Sequence, residues 1–284
     1  MTQNMFMQDV QSVIDEAPIL YKFFRFNENV LYALIDSYLW FSVADKFNDP
    51  FEGVSFPTLE NQFLDISKHI DCLTEEEYQS LKAEYCKSPN SIRSIYLDKF
   101  LKAYSADMEQ FRNLGFCCFL SGLEKNELTV DQEMMMWSHY SDGLRGFRFI
   151  YDTSKLIKSI PSADIYPIVY KDTPPTVSLA SYMYETRAGP SSPRYSHSFG
   201  QNVFTTKHRS WSYEREIRLR RSEYGACPYD KNSILGVDFG SKMTLPQIRI
   251  IQALLAHLPR KPEYRIAHIS DSSYRIMYSA FAED

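Results

Sequence analysis

The chain lacks most of the features that announce a chemistry. No apolar run approaches the ~20 residues that a membrane-spanning helix needs, and the N-terminal stretch "MTQNMFMQDVQSVIDEAPIL" is polar and acidic, without a basic lead or a long apolar segment. It does not read as a signal peptide, so a cytoplasmic, membrane-free protein is expected. The five cysteines are odd in number and include no Cys-x-x-Cys pair, which excludes a zinc framework. Cys117 and Cys118 lie side by side in an apolar run, where buried, inert thiols are expected. The glycine-loop patterns GxGxxG and GxxxxGK[ST], the HExxH helix, the GxSxG elbow and a cysteine-nucleophile signature are all missing. His139 and His208 are far apart, and the other histidines sit outside any ligand spacing, so no metal site is expected. A formal charge of −5 argues against wholesale nucleic-acid binding.

What is present is apolar and aromatic. Apolar residues make up 44% of the 284-residue chain, with 20 Tyr and 19 Phe, enough for a substantial core. "ILYKFFRF" (19–26), "YLWFSV" (38–43), "GFCCFLSG" (115–122), "LRGFRFIYD" (144–152) and "DIYPIVYKD" (164–172) read as strands, the last placed at a sheet edge by Pro167. Asn27 caps a short helix, Thr74 with Glu77 forms a capping box, and Ser88-Pro89 opens a further helix. "DQEMMMWSHYSD" (131–142) reads as a short helix, 188–200 as a flexible loop, and "SILGVDFG", "LPQIRIIQALLAH", "YRIAHIS" and "SYRIMYSAF" as strand, helix and two strands. The expectation is a single α+β domain over 1–284, with a mixed, mostly antiparallel sheet core and a helical insertion at about 58–112.

The densest charge pattern is "KHRSWSYEREIRLRR" (207–221). As a helix it would place Glu214 one turn before Arg218 and Glu216 one turn before Arg220, ordinary ion pairs on a solvated face. As a strand it sets Glu214, Glu216, Arg218 and Arg220 on one face against Trp211, Tyr213, Ile217 and Leu219. Aromatic alternation and the β-rich "QNVFTTK" before it favour the strand. Two carboxylates on one strand face can orient a substrate and stabilise a developing cation, hold a divalent metal, or pair with the neighbouring arginines. "FNDPFEG" (47–53) is a compact turn built on Asn48 or Asp49 and Pro50. "MWSHYSDG" (136–143) gathers Trp137, His139 and Tyr140, which can stack a flat ring or end a core helix. Arg25, in "YKFFRF", needs an anionic partner if its strand is buried, either a carboxylate or a phosphate.

The ordered set "LYKFFRF", "LWFSVADKFNDPFEG", "FCCFLSG", "MMMWSHYSDGLRGFRFIYD" and "VFTTKHRSWSYEREIRL" resembles a bacterial family called domain of unknown function 2971, from about Leu20 to Leu219. The serine of the third element, Ser121, stands one residue later than in the family pattern. More remotely, Arg25, Ser121 and Glu214/Glu216 resemble in order the Arg, Ser and E-x-E strands of one branch of the ADP-ribosyltransferases. That resemblance implies an NAD-utilising transferase or glycohydrolase, possible in a toxin or phage-defence effector. It implies Glu216 as the catalytic group and Glu214 as the residue orienting an acceptor. Arg25 would clamp the pyrophosphate, Ser121 would join it in the cofactor site, and Trp137, His139 and Tyr140 would stack the nicotinamide. The acceptor would be a protein or nucleic acid met through the basic segment 207–221. Two other readings remain open: a nuclease in which Asp49, Glu214 and Glu216 hold Mg²⁺ and Lys207 polarises a phosphate, and a non-catalytic module binding a nucleotide or a partner. In the module reading Arg25, Trp137 and Tyr140 line a pocket and the E-x-E merely pairs with Arg218 and Arg220. The enzyme reading predicts one concave pocket lined by Arg25, Trp137, Tyr140 and Glu216, with Glu214 at its rim.

Overall fold

The computed structural model describes residues 10–122, 127–160, 162–187 and 202–281; the loop expected over 188–200 lies outside them. The chain divides into two compact units, one formed by 1–43, 114–168 and 210–284, the other by 44–113 and 169–209.

The first unit contains α1 (Val10–Glu16), β1 (Ile19–Phe24), α2 (Glu28–Ile35), β2 (Tyr38–Phe41), β4 (Gly115–Ser121), α6 (Val130–Tyr140), β5 (Phe147–Asp152), α7 (Thr153–Ser159) and β6 (Asp164–Pro167). It continues with β10 (Glu216–Arg221), β11 (Gly225–Pro228), β12 (Ile234–Gly240), α9 (Leu245–Leu255), β13 (Glu263–Ile269) and β14 (Ile276–Ala280). Eight strands form one sheet in the order β14-β13-β12-β5-β1-β4-β10-β6. Every neighbouring pair is antiparallel except β12 and β13, which α9 joins as a parallel crossover. The fold is therefore α+β with a mixed, mostly antiparallel sheet. Pro167 ends β6 at the sheet edge, where a missing N–H interrupts no ladder.

Alternation gives the sheet two unlike faces. Leu20, Phe119, Phe149, Tyr151, Leu219, Val237 and Phe239 point one way and form the main core with Val30 and Leu34 of α2, Leu156 of α7 and Ile248, Ile251 and Leu255 of α9. The opposite face carries Tyr21, Phe23, Arg148, Asp238, Arg265, Glu216 and Arg218, and α6 packs on it through Met136 and Trp137. Local signals set the helix starts. Asn27 accepts the Val30 N–H at 3.1 Å, and Thr129 and Gln132 close a capping box at the start of α6.

The second unit holds β3 (Phe56–Thr58), α3 (Phe63–His69), α4 (Glu75–Lys87), α5 (Pro89–Arg112), β7 (Val169–Lys171), β8 (Thr176–Ser178), α8 (Leu179–Arg187) and β9 (Thr206–His208). Thr74 and Glu77 form the expected capping box and Pro89 occupies the first turn of α5. The helices of 58–112 thus share this unit with 169–209. In "FNDPFEG", Asp49 accepts the Phe51 N–H at 2.9 Å and Gly53 takes φ +71 against the Phe204 ring. Among the described residues no helix is long and apolar enough to cross a membrane.

Candidate ligand-binding site

The stretch 207–221 is not one strand. Arg209–Glu214 is a 3-10 turn, Arg215 takes a left-handed φ of 42°, and only Glu216 onward joins the sheet. Glu214 and Glu216 therefore do not share a strand face. The aromatic alternation of "SWSY" mimicked a strand, and Arg215 is the break the pattern did not reveal. Glu216 opens β10 fully buried, its carboxylate accepting from Arg218 Nε at 2.7 Å. Glu214 is also buried and accepts the Tyr140 hydroxyl at 2.7 Å. The alternative of ion pairs on a solvated helix face fails as well, on that burial.

The other expected residues are dispersed. Arg25 lies one residue beyond β1, exposed, and donates to the His139 carbonyl at 3.2 Å. It neutralises the last turn of α6 and holds no buried anion. His139 is exposed. Trp137 is 1% exposed, edge-on to Phe23, with its indole N–H directed to Glu133 and Tyr278, so the ring is core and offers no stacking surface. Ser121 donates both its N–H and its hydroxyl to the Arg215 carbonyl, at 3.1 and 3.0 Å. In register it stands opposite Leu20, whereas Glu216 stands opposite Leu120 and hence in line with Tyr21. Ser121 and Glu216 belong to opposite faces of the sheet. Of the expected set, the structure joins Tyr140 to Glu214 and Arg25 to His139.

Three of the six Lys/Arg residues in the basic segment form ion pairs. Arg218 pairs with Glu216, Arg220 with Asp164 and Arg209 with Asp172. Among the described residues no three His, Cys, Asp or Glu side chains gather in a way that could hold a metal ion. Burial raises the thiol pKa values of Cys117 and Cys118, which keeps both protonated and unreactive.

Sequence reasoning missed the most concentrated polar structure. Arg148, in mid-β5, donates to Asp238 at 2.6 Å and to Glu133 at 2.7 Å. Arg265 donates twice more to Asp238, at 2.7 and 3.0 Å. Tyr278 bonds Glu133, and the Arg148 guanidinium lies 4.9 Å from the Tyr21 ring and 4.5 Å from the Tyr278 ring. Two carboxylates thus compensate two guanidiniums. Burial opposes charge on Arg148, but its interactions with Tyr278, Asp238 and Glu133 prevail and push its pKa upward. Burial also raises the Tyr21 and Tyr278 pKa values, keeping both hydroxyls protonated. A charge inside the apolar runs "FRFIY" and "LGVDFG" is the sequence signal for this network.

One row along the same face, a cavity of about 490 Å³ opens. Tyr21, Ile150, Gly236 and Glu263 stand opposite one another across β1, β5, β12 and β13 and form its floor. Gly236, in the middle of that row, is closely packed; a Cβ there would come within 3.3 Å of the Glu263 carbonyl and 3.4 Å of Ile150. A bulge between Ile234 and Gly236 frees Leu235, which lines the cavity. Arg260, Lys261 and Arg265 supply positive charge, and Glu127 and Glu263 negative.

Residues 136–219 match the profile of the family described as protein of unknown function (DUF2971). No curated protein and no solved structure matches the chain.

Proposed function

We propose that this protein binds a phosphorylated small molecule on the charged face of its sheet. The observation that carries the reading is the cavity beside the Arg148–Asp238–Arg265 network: its size suits a small ligand, and three cations line it. Arg265 belongs to both. Asp238 holds its guanidinium at fixed distance, so an arriving anion meets a positioned donor and loses less entropy in ordering it. Purified protein titrated calorimetrically with inorganic pyrophosphate and ADP should bind at least one of them at micromolar to millimolar concentration. Binding should weaken as salt rises, because exposed charges are screened. No heat and no thermal shift with either anion at millimolar concentration would sink the reading.

A second reading, cleavage of NAD in the manner of an ADP-ribosyltransferase, is favoured by one feature. β1, β4 and β10, the strands associated with Arg25, Ser121 and Glu216, are neighbours in the sheet, and Glu216 lies in the row of Tyr21. Against it stand the engagement of both carboxylates and the placement of Arg25 and Ser121. Glu214→Gln keeps the size of the side chain, and the amide oxygen can still accept the Tyr140 hydroxyl. If the reading holds, wild type releases nicotinamide from NAD and Glu214→Gln or Glu216→Gln loses about 10²–10³ in rate, the scale of one preorganised electrostatic group. Absence of nicotinamide release by wild type with every acceptor tried would remove it.

A further inference from the structure

We infer that the cavity is shaped for a nucleoside phosphate in a defined orientation, an inference that rests on the anion-binding reading above and adds the ligand class. The lining combines three cations, an apolar wall and two carboxylates, with Glu263 between Lys261 and Arg265 in the chain. Arg260 and Lys261 stand on the turn before β13, both exposed, with Arg265 two residues after the first position of that strand. Together these three form the phosphate end. Ile19, Ile150 and the bulged Leu235 provide an apolar wall with the ring of Tyr21. A flat base packs against such a wall, because aromatic and branched apolar surfaces desolvate the face they meet. Glu127 and Glu263 complete the lining. A carboxylate accepts hydrogen bonds but donates none, so these two oppose phosphate and favour the hydroxyl donors of a ribose. A simple inorganic anion would use the cations and gain nothing from the wall or the carboxylates.

The test compares ADP, inorganic pyrophosphate and adenosine on the full-length protein by calorimetry. The inference expects ADP to bind at least about tenfold more tightly than pyrophosphate, with adenosine weakest. The double variant Arg260→Glu/Lys261→Glu lies on exposed positions and should fold normally by circular dichroism. It should weaken ADP at least about tenfold. Leu235→Asn, also outside the regular ladder, removes the apolar contact without adding charge and should weaken ADP while leaving pyrophosphate within about twofold. Pyrophosphate binding as tightly as ADP, or Leu235→Asn leaving ADP unaffected, would overturn the nucleoside assignment while leaving the anion-binding reading standing. Binding of neither compound overturns both. ADP binding unchanged in the double variant places the nucleotide elsewhere and overturns this site. None of these measurements requires turnover of NAD.

Discussion

Asp238 is the residue on which the charged face turns. It is fully buried, receives two bonds from Arg265 and one from Arg148, and sits in a strand whose other buried neighbours are apolar. Asp238→Asn keeps the shape but removes the charge that compensates two guanidiniums. Breaking a buried ion pair from one side costs roughly 3–5 kcal/mol, because the remaining charge is left without its counter-ion. We expect a loss of that size in urea unfolding, or failure to fold; a loss below about 1 kcal/mol would show that solvent reaches the cluster. Glu216→Gln should also lower the melting temperature, since Arg218 is 1% exposed and pairs with that carboxylate. Residues acting locally were legible in the sequence: Asn27, Thr74 and Asp49 each bond a backbone N–H within three positions. The network was not, because Arg148 finds Asp238 across 90 positions and only strand register brings them together.

At the scale of the element, Arg215 separates two structures that alternation had merged into one. The 3-10 turn before it and the strand after it meet at a left-handed residue whose carbonyl takes both donors of Ser121. A non-glycine residue in that region costs of order 1 kcal/mol and persists when surrounding contacts hold it. Comparing Arg215→Gly with Arg215→Ala isolates this cost, since both lose the same long side chain. The glycine variant should be the more stable by about 1 kcal/mol in chemical denaturation, reversing the usual order of the two residues. If alanine is the more stable, the backbone at 215 is not strained. The other strands of the large sheet were readable because they are apolar runs bounded by turn residues, but the run 164–172 read as one strand is two, β6 and β7, and the short strands β3, β8 and β11 gave no signal. β10 was read five residues too long, from Trp211 and not from Glu216, because Trp211 and Tyr213 alternate with serine whether they lie in a strand or in a tight turn.

At the scale of the whole molecule, the chain leaves the first unit twice and returns each time to its sheet. Ser42 and Phe116 exchange both backbone hydrogen bonds, at 2.8 Å each, across the excursion 44–113. Across the excursion 169–209, Ile168 donates to the Glu216 carbonyl at 2.9 Å. Each departure and return is therefore clamped by pairing that belongs to the first unit. Closing a shorter loop costs less entropy, although length enters only logarithmically, about 0.6 kcal/mol per doubling. Every residue lining the cavity also lies in the first unit. A chain in which 44–113 and 169–209 are each replaced by a short Gly/Ser linker should thus keep the eight-stranded sheet, melt cooperatively and bind ADP with the affinity of the full chain. Circular dichroism and calorimetry on the shortened protein decide it. A non-cooperative melt would mean that the sheet needs the second unit to fold, whereas a cooperative melt with ADP binding lost would mean that the second unit contributes to the ligand site.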